Sequence, residues 1–236
     1  MATALGTDLL FDKGLLKGRR VGLVCNPASV DSAFRHVTDR AASGGVLVGA
    51  LFGPQHGIRS DVQENMIETP HERDGERRVP VYSLYSETRE PTDDMLAGLD
   101  ALVIDLQDVG TRIYTYIYTM AYCLKAAART GVPVIVCDRP NPIGGVAVEG
   151  PMLEKGYESF VGLYPLPMRH GMTIGELARM FNEHFGLGAK LEVIPMQGWS
   201  RDMYFEETGL PFVLPSPNIP TVEAEVVYPG TVLFEG

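Results

Sequence analysis

The first segment with clear chemical potential is a loop at residues 53–57, which reads GPQHG. Gln55 and His56 stand between two glycines and directly after a proline. Glycine permits unusual backbone angles and the close approach of a ligand, and proline stiffens the turn. We therefore take Gln55 and His56 as candidate catalytic residues, and the alternative is an ordinary loop histidine.

A second segment follows an apolar run and brings two carboxylates close to a guanidinium. Asp105 and Asp108 are followed within a few residues by Arg112 and Tyr114. Two carboxylates beside a guanidinium can hold a charged or hydroxyl-rich substrate, or one carboxyl can be tuned as an acid. We predict a functional role for these four residues. The alternative is that Asp108 caps the following helix and Arg112 pairs with Asp105.

The segment DRPNP at residues 138–142 places strong hydrogen-bonding side chains in a rigid frame. Its two X-Pro bonds favour an extended loop. Arg139 can bind a carboxylate in a two-pronged fashion, and Asp138 and Asn141 flank it. We predict that this loop binds substrate, because a purely structural loop rarely needs so many polar side chains.

Further polar side chains stand in loops later in the chain. Glu149 lies in a VEGP segment, and Glu176 has an alternative role in a capping box that Thr173 would open. Arg169 and His170 precede this helix start, where an anion or polar substrate is favoured. The remaining predicted substrate-binding residues are Asn26, Ser216 and Asn218.

Short apolar runs alternate with helical stretches, which predicts an α/β fold with a mainly parallel sheet covered by helices on both faces. The predicted strands are residues 21–25, 46–52, 79–84, 101–105, 132–138 and 191–195, with one more at 224–228. The predicted helices are residues 33–42, 91–98, 113–130 and 173–185. Parallel strands end on one edge of a sheet, where doubly wound proteins bind ligands. We therefore expect the loops after the first, second, fourth and fifth strands to converge.

Composition argues against several classes of function. The formal net charge of -10 makes nucleic acid an unsuitable partner, since phosphate binding needs a basic surface. No apolar run approaches the roughly 18 residues that a membrane span requires. The N-terminus lacks the basic start and apolar run of a signal peptide, which predicts a cytoplasmic protein. Cys25, Cys123 and Cys137 have no metal-type spacing and are predicted to be buried thiols.

Several cofactor and nucleophile motifs are missing from the sequence. There is no GxGxxG after the first strand, no phosphate loop and no GxSxG turn. We therefore expect no cofactor and no metal, and a hydrolase built from carboxylates, imidazole and arginine fits best. A less favoured alternative is a metal-dependent hydrolase, although no short-range ligand spacing supports it. Its ligands would be His56, Asp105, Asp108 and Asp138.

Six motifs in order resemble those of the NamZ-type exo-β-N-acetylmuramidase family. They are residues 51–57 (LFGPQHG), 105–116 (DLQDVGTRIYTY), 138–142 (DRPNP), 148–151 (VEGP), 169–173 (RHGMT) and 215–221 (PSPNIPT). The resemblance covers roughly residues 20 to 230 and implies a Rossmann-like catalytic domain followed by a smaller domain. The catalytic domain is predicted at residues 1–195. Residues 196–236 are predicted to form a proline-rich cleft loop and the start of a second domain that is truncated here.

The resemblance also implies an activity. It predicts exo-acting hydrolysis that releases N-acetylmuramic acid from non-reducing ends of peptidoglycan fragments, in a pocket between the two domains. Family members are commonly exported, in contrast to the cytoplasmic location that the N-terminus predicts. The family's first loop often reads GPEHG, and Gln55 stands here at the position of that glutamate. Either the catalytic carboxylate lies elsewhere, with Glu64 and Glu68 near enough in sequence to substitute, or the activity is altered.

Glycoside cleavage needs an acid for the leaving oxygen and stabilisation of an oxocarbenium-like centre. The 2-acetamido group of N-acetylmuramic acid can serve as an internal nucleophile, which Gln55 or Asp108 would orient. Arg139 or Arg169 would hold the lactyl carboxylate, and His56 is the alternative acid. The preferred acid is predicted among Asp105, Asp108, Glu149 and Glu176. The main alternative function is a non-catalytic sugar- or muropeptide-binding module.

Overall fold

The structure, a computed structural model, describes residues 3–63, 68–75 and 77–234. The strands in this part of the chain are β1 (Arg20–Val24), β2 (Leu47–Gly53), β3 (Glu72–Arg73), β4 (Pro80–Ser83), β5 (Ala101–Ile104), β6 (Val134–Cys137), β7 (Glu149–Met152), β8 (Pro167–Arg169) and β9 (Leu191–Ile194). The α-helices are α1 (Gly6–Asp12), α2 (Val37–Ser43), α3 (Asp93–Leu96), α4 (Tyr116–Thr130), α5 (Ile174–Arg179) and α6 (Val222–Thr231). A π-helical turn (Met180–His184) continues α5, and 3₁₀ turns lie at Phe205–Thr208 and Val232–Phe234.

Seven strands form one sheet in the order β3-β4-β2-β1-β5-β6-β9. All neighbours pair in parallel except β3, which runs antiparallel to β4 at the edge. The strand order reverses between β1 and β5, because the chain first builds outward through β2 and β4 and then returns to the other side of β1. This reversal is the point at which open α/β sheets form a crevice for ligands.

Apolar side chains on successive strand positions point to opposite faces, and each face is covered by helices. Leu102 and Ile104 of β5 pack with α3, α4 and α5 on one face. Ala101 and Val103 of the same strand pack with α1 and α2 on the other face. The predicted α/β class, with a mainly parallel sheet and helices on both faces, is therefore confirmed, and so are the six predicted strands of that sheet.

The predicted helices exist, but they begin later or end earlier than the apolar pattern indicated. The helix predicted from residue 33 begins at Val37, because the Asp31 carboxylate accepts hydrogen bonds from the backbone of Ala33 and Arg35 and holds a turn there. Phe34 has a left-handed backbone conformation with φ of 59°, which is incompatible with a right-handed α-helix. The capping box of α5 is confirmed, since Thr173 and Glu176 each accept a hydrogen bond from the other's backbone.

The strand predicted at residues 224–228 is wrong, because these residues lie inside helix α6. The sequence VEAEVV alternates apolar and polar residues, which is the pattern of a half-buried strand. The Thr221 hydroxyl instead accepts a hydrogen bond from the backbone N–H of Ala224 and caps a helix. Because these residues form a helix, Glu225 is buried, whereas Val226 and Val227 are exposed.

Two further findings concern the class of protein. The three cysteines are buried and free, as predicted. Within the ranges described above, the helices are too short or too polar for any of them to pass through a bilayer. The division of the chain at residue 195 stays a prediction.

Candidate functional site

The loops that follow β1, β2, β5 and β6 lie along one edge of the sheet, as the alternating pattern predicted. Long-range hydrogen bonds tie this edge together. The Asn26 amide donates to the Tyr116 hydroxyl at 3.1 Å and to the Pro215 carbonyl at 2.7 Å. Asn26 is completely buried, so it joins the end of β1 to α4 and to the proline-rich loop at 215–221.

A cleft of about 360 Å³ opens beside the loop that follows β2. This volume lies within the range of small-molecule sites. Its polar lining consists of Gln55, His56, Thr115, Ser216 and Asn218. Its aromatic and aliphatic lining consists of Tyr85, Ile113, Tyr114, Phe160, Val161, Ile219, Tyr228 and Val232. Neutral polar groups beside aromatic rings form a surface suited to a sugar, whose hydroxyls bind the former and whose C–H faces pack on the latter.

Gln55 lines this cleft and is held there by a partner far away in the sequence. The Thr115 hydroxyl donates a 2.7 Å hydrogen bond to Gln55 Oε1. Thr115 is the residue before α4, and both side chains are buried. The amide is therefore fixed on a rigid element, which a ligand-orienting group requires.

His56 lines the same cleft in a left-handed backbone conformation, with φ of 71°. Its Nδ1 lies 2.7 Å from the Val62 carbonyl oxygen, which can only accept, so Nδ1 carries the proton in the neutral ring. Nε2 is then the nitrogen available to exchange a proton. Burial lowers the pKa of His56 below its ordinary value of 6.5, and the Val62 hydrogen bond only partly opposes this shift. The ring is therefore neutral at pH 7.

Asp105 and Arg139 form a buried ion pair instead of lining the cleft. Arg139 Nε lies 2.6 Å from Asp105 Oδ1 and Nη2 lies 3.0 Å from Oδ2, and Nη2 also donates to the Val30 carbonyl. The alternative pairing of Arg112 with Asp105 is wrong. Arg112 donates to the backbone carbonyls of Pro151 and Leu166.

Asp108 lies beside His170 in the protein interior. The His170 Nδ1 accepts a hydrogen bond from the backbone of Met172, so in the neutral ring the proton is on Nε2, 3.1 Å from Asp108 Oδ2. The two groups are within ionic contact distance, but Nε2 has no hydrogen-bond partner within the described residues. Asp108 Oδ2 also accepts from the Gly110 N–H at 2.9 Å. The alternative in which Asp108 caps α4 is wrong, because the residue before that helix is Thr115 and it has no side-chain cap.

The DRPNP loop fastens helix α5 to the sheet. Asp138 Oδ1 accepts from the Gly175 N–H at 2.8 Å, at the start of that helix. Burial raises the pKa of Asp138, against the lowering effect of these backbone hydrogen bonds. Asn141 accepts from the backbone of Ile143 and donates to the Met172 carbonyl. These side chains hold loops in place through contacts within the chain.

The remaining predicted carboxylates have partners on the protein surface. Glu149 binds Arg169 at 2.7 Å across the two strands β7 and β8, and Arg169 also donates to the Ile143 carbonyl. Glu176 completes the capping box of α5 and pairs with Arg201. Neither carboxylate lines the cleft.

The structure thus brings Gln55, His56, Tyr114, Ser216 and Asn218 together in the cleft and places the other predicted residues around it. Of the two substitutes for a glutamate at position 55, Glu68 is exposed and outside the cleft lining. Glu64 lies outside the described residues. Over the described ranges, no three His, Cys, Asp or Glu side chains are grouped so that they could hold a metal ion.

A family model described as exo-beta-N-acetylmuramidase NamZ, N-terminal, matches residues 21–223. The peptidoglycan beta-N-acetylmuramidase NamZ of Bacillus subtilis (strain 168) is 53% identical over 235 residues, which are 99% of this chain and 56% of that protein. The chain belongs to the NamZ N-terminal family.

Solved structures of two DUF1343 family proteins from Bacteroides fragilis NCTC 9343 have the same fold. One has a TM-score of 0.91 and 40% identity, and the match covers 99% of this chain and 60% of that one. The other has a TM-score of 0.85 and 32% identity, and the match covers 100% of this chain and 62% of that one. The chain therefore spans between 56% and 62% of the length of these relatives.

Sequence reasoning missed several residues of the site in this NamZ-family chain. Thr115 lies inside the motif at residues 105–116, but sequence reasoning assigned it no role of its own. Phe160 and Tyr228 have no local sequence pattern that would predict a place in a cleft. A further omission, outside the cleft lining, is Glu225 on α6, whose carboxyl is buried without a hydrogen-bond partner in the described parts of the chain. Burial, and then the charge of Asp108, raise the pKa of Glu225 to about 9. Recognition of Thr221 as a helix cap would have assigned Glu225 to a helix.

Proposed function

We propose that the protein containing this chain is an exo-acting glycosidase that releases N-acetylmuramic acid from non-reducing ends of peptidoglycan fragments. Membership of the NamZ family and the 53% identical Bacillus subtilis relative support this activity. The observation that carries the proposal in the chain itself is the cleft with a fixed amide, Gln55, next to an imidazole, His56, and aromatic rings. This arrangement offers both binding and proton transfer for one sugar.

We propose His56 as the group that transfers the proton. None of the described Asp or Glu side chains lines the cleft, whereas His56 does. The imidazolium would give its Nε2 proton to the leaving glycosidic oxygen while the substrate's acetamido oxygen bonds to the anomeric carbon. Neutral His56 would then take a proton from the water that opens this intermediate, which restores the imidazolium. Gln55 orients the acetamido group in both steps.

The test is hydrolysis of a chromogenic N-acetyl-β-muramide by the protein at its natural full length. His56→Asn is the sharpest variant, because an asparagine amide reproduces the Nδ1 donor to Val62, tolerates a positive φ and removes Nε2. We expect kcat to fall by roughly 10²–10⁴-fold, with little change in thermal stability. Wild-type kcat in His56→Asn would exclude His56 as the acid.

The pH profile provides a second measurement. His56 must be protonated to act as the acid, and its pKa lies below 6.5. We therefore expect kcat to rise as the pH falls from 7.5 towards 5.5, and a rate that instead rises with pH would contradict the assignment. The second candidate function is a non-catalytic sugar-binding module, which is favoured by Gln55 at the position where the resemblance implies a glutamate. Binding of N-acetylmuramic acid without cleavage of the muramide would support this alternative.

A further inference from the structure

An arginine that the sequence did not single out lies against the aromatic wall of the cleft. The guanidinium carbon of Arg89 is 4.6 Å from the ring centroid of Tyr85 and 4.7 Å from that of Phe160. The two ring centroids are 5.5 Å apart, so the cation packs over both rings at once. Tyr85 and Phe160 both line the cleft. Cation–π contacts therefore hold a permanent positive charge against the aromatic wall of the cleft, although Arg89 is not itself a lining residue.

Within the described residues Arg89 has no carboxylate partner, in contrast to Arg139 and Arg169. In the parts of the chain that the structure describes, no ion pair or hydrogen bond to its guanidinium is present, and its Nε is buried and unpartnered. The neighbouring Glu90 is already bound by Lys125 and Arg129. Arg139 and Arg169, by contrast, are bound to Asp105 and Glu149.

An unpartnered guanidinium packed on two rings of the cleft wall favours an anionic ligand that reaches it from the cleft. Burial without a partner is unfavourable for a donor, and a planar guanidinium matches the geometry of a carboxylate. N-acetylmuramic acid differs from N-acetylglucosamine by a lactyl ether that ends in a carboxylate. The aromatic rings fix the plane of the Arg89 side chain in advance, so little rotamer freedom remains to be lost on binding.

We propose that Arg89 binds the lactyl carboxylate of the terminal sugar and thereby selects muramides over glucosaminides. The proposal rests on the proposed function, since it names the residue that determines specificity at that same cleft. It also replaces the expectation that Arg139 or Arg169 performs this role, because both have carboxylate partners within the chain.

The test compares two charge-removing variants of the full-length protein on two substrates. Arg89→Met keeps an unbranched apolar chain on the two rings and removes the charge. Arg129→Met removes an arginine from surface ion pairs with Glu90 and Asp93 and is the matched control. The substrates are a chromogenic N-acetyl-β-muramide and the corresponding glucosaminide, and calorimetry with free N-acetylmuramic acid and N-acetylglucosamine gives a readout without catalysis.

For Arg89→Met we expect kcat/KM on the muramide to fall on the order of 30-fold, with less than about a threefold change on the glucosaminide. Affinity for N-acetylmuramic acid should fall in parallel, and Arg89→Lys should recover part of both losses. Arg129→Met should leave both substrates unchanged.

The outcomes separate the two proposals. If the wild-type protein binds N-acetylmuramic acid but cleaves no muramide, the proposed function fails, and the calorimetric comparison still tests Arg89. If the wild type cleaves muramides and Arg89→Met lowers both substrates equally, Arg89 has only a packing role and the specificity proposal is overturned. Unchanged kinetics and affinity in Arg89→Met would overturn it as well.

Discussion

The sheet edge and the cleft beside it contain similar polar residues but use them differently. At the edge, Asp105 and Arg139 satisfy each other in a buried ion pair, and Asp138 holds the start of α5. In the cleft, neutral groups such as Gln55 and His56 stand among aromatic rings. The most conspicuous charges of the sequence therefore build the scaffold, and uncharged polar groups line the cleft. A motif rich in charge indicates where a site lies without indicating which side chains touch the substrate.

The largest effect that distinguishes these regions is expected for Arg139→Met. Removal of one partner leaves Asp105 as a buried charge without a counterion, which typically costs about 3–5 kcal/mol. We expect the free energy of unfolding, measured by urea titration, to fall by this amount. Muramide hydrolysis should fall only in proportion to the unfolded fraction. A loss of kcat/KM in fully folded Arg139→Met would indicate that Arg139 binds substrate.

A smaller effect concerns Glu225, which lies between the two regions. Its folded pKa of about 9 is above the ordinary 4.5, so the folded state holds a proton that the unfolded state releases between these values. The contribution of Glu225 to stability is therefore greatest below pH 4.5 and is lost as the pH rises towards 9. Because Glu225 is fully buried, the wild type should lose on the order of 2–3 kcal/mol between pH 5 and pH 7 relative to Glu225→Gln.

The control for this titration is Glu223→Gln, on the exposed face of the same helix. All other titrating groups are common to the wild type and Glu225→Gln, so the difference between these two pH curves isolates Glu225, and Glu223→Gln shows the effect of removing an exposed carboxyl from the same helix. Parallel curves for wild type and Glu225→Gln would show that the carboxyl is not protonated in the folded protein. The charged and titratable groups that act on it are Asp108 and, through its ring hydroxyl, Tyr114.

Much of the fold could be predicted from the sequence, because parallel strands buried on both faces are short apolar runs that depend little on the rest of the chain. Helix α6 could not, since VEAEVV fits a strand and a helix equally well until Thr221 is recognised as its cap. The location of the site followed from topology, but its composition did not. Thr115 meets Gln55 across 60 positions and Arg139 meets Asp105 across 34, and no local pattern encodes such pairings.

The smallest and most informative change is Gln55→Glu. The family resemblance implies a glutamate at this position, so if Gln55 replaces a lost catalytic carboxylate, the variant should be faster than the wild type. The structure favours the opposite result. Gln55 is buried and its Oε1 is held by the Thr115 hydroxyl, so a glutamate would add a buried charge and remove an amide donor.

We therefore expect Gln55→Glu to lower kcat on a chromogenic N-acetyl-β-muramide by about tenfold, the equivalent of one lost hydrogen bond in the transition state. Thr115→Val is the matched control, because it releases the amide without adding charge and should cause a smaller loss of the same kind. A gain of activity in Gln55→Glu would mean that the cleft works by a carboxylate and that Gln55 makes this chain a slow member of its family. Wild-type rates in both variants would exclude Gln55 from the reaction and leave His56 and the aromatic wall as the parts of the cleft that act on the sugar.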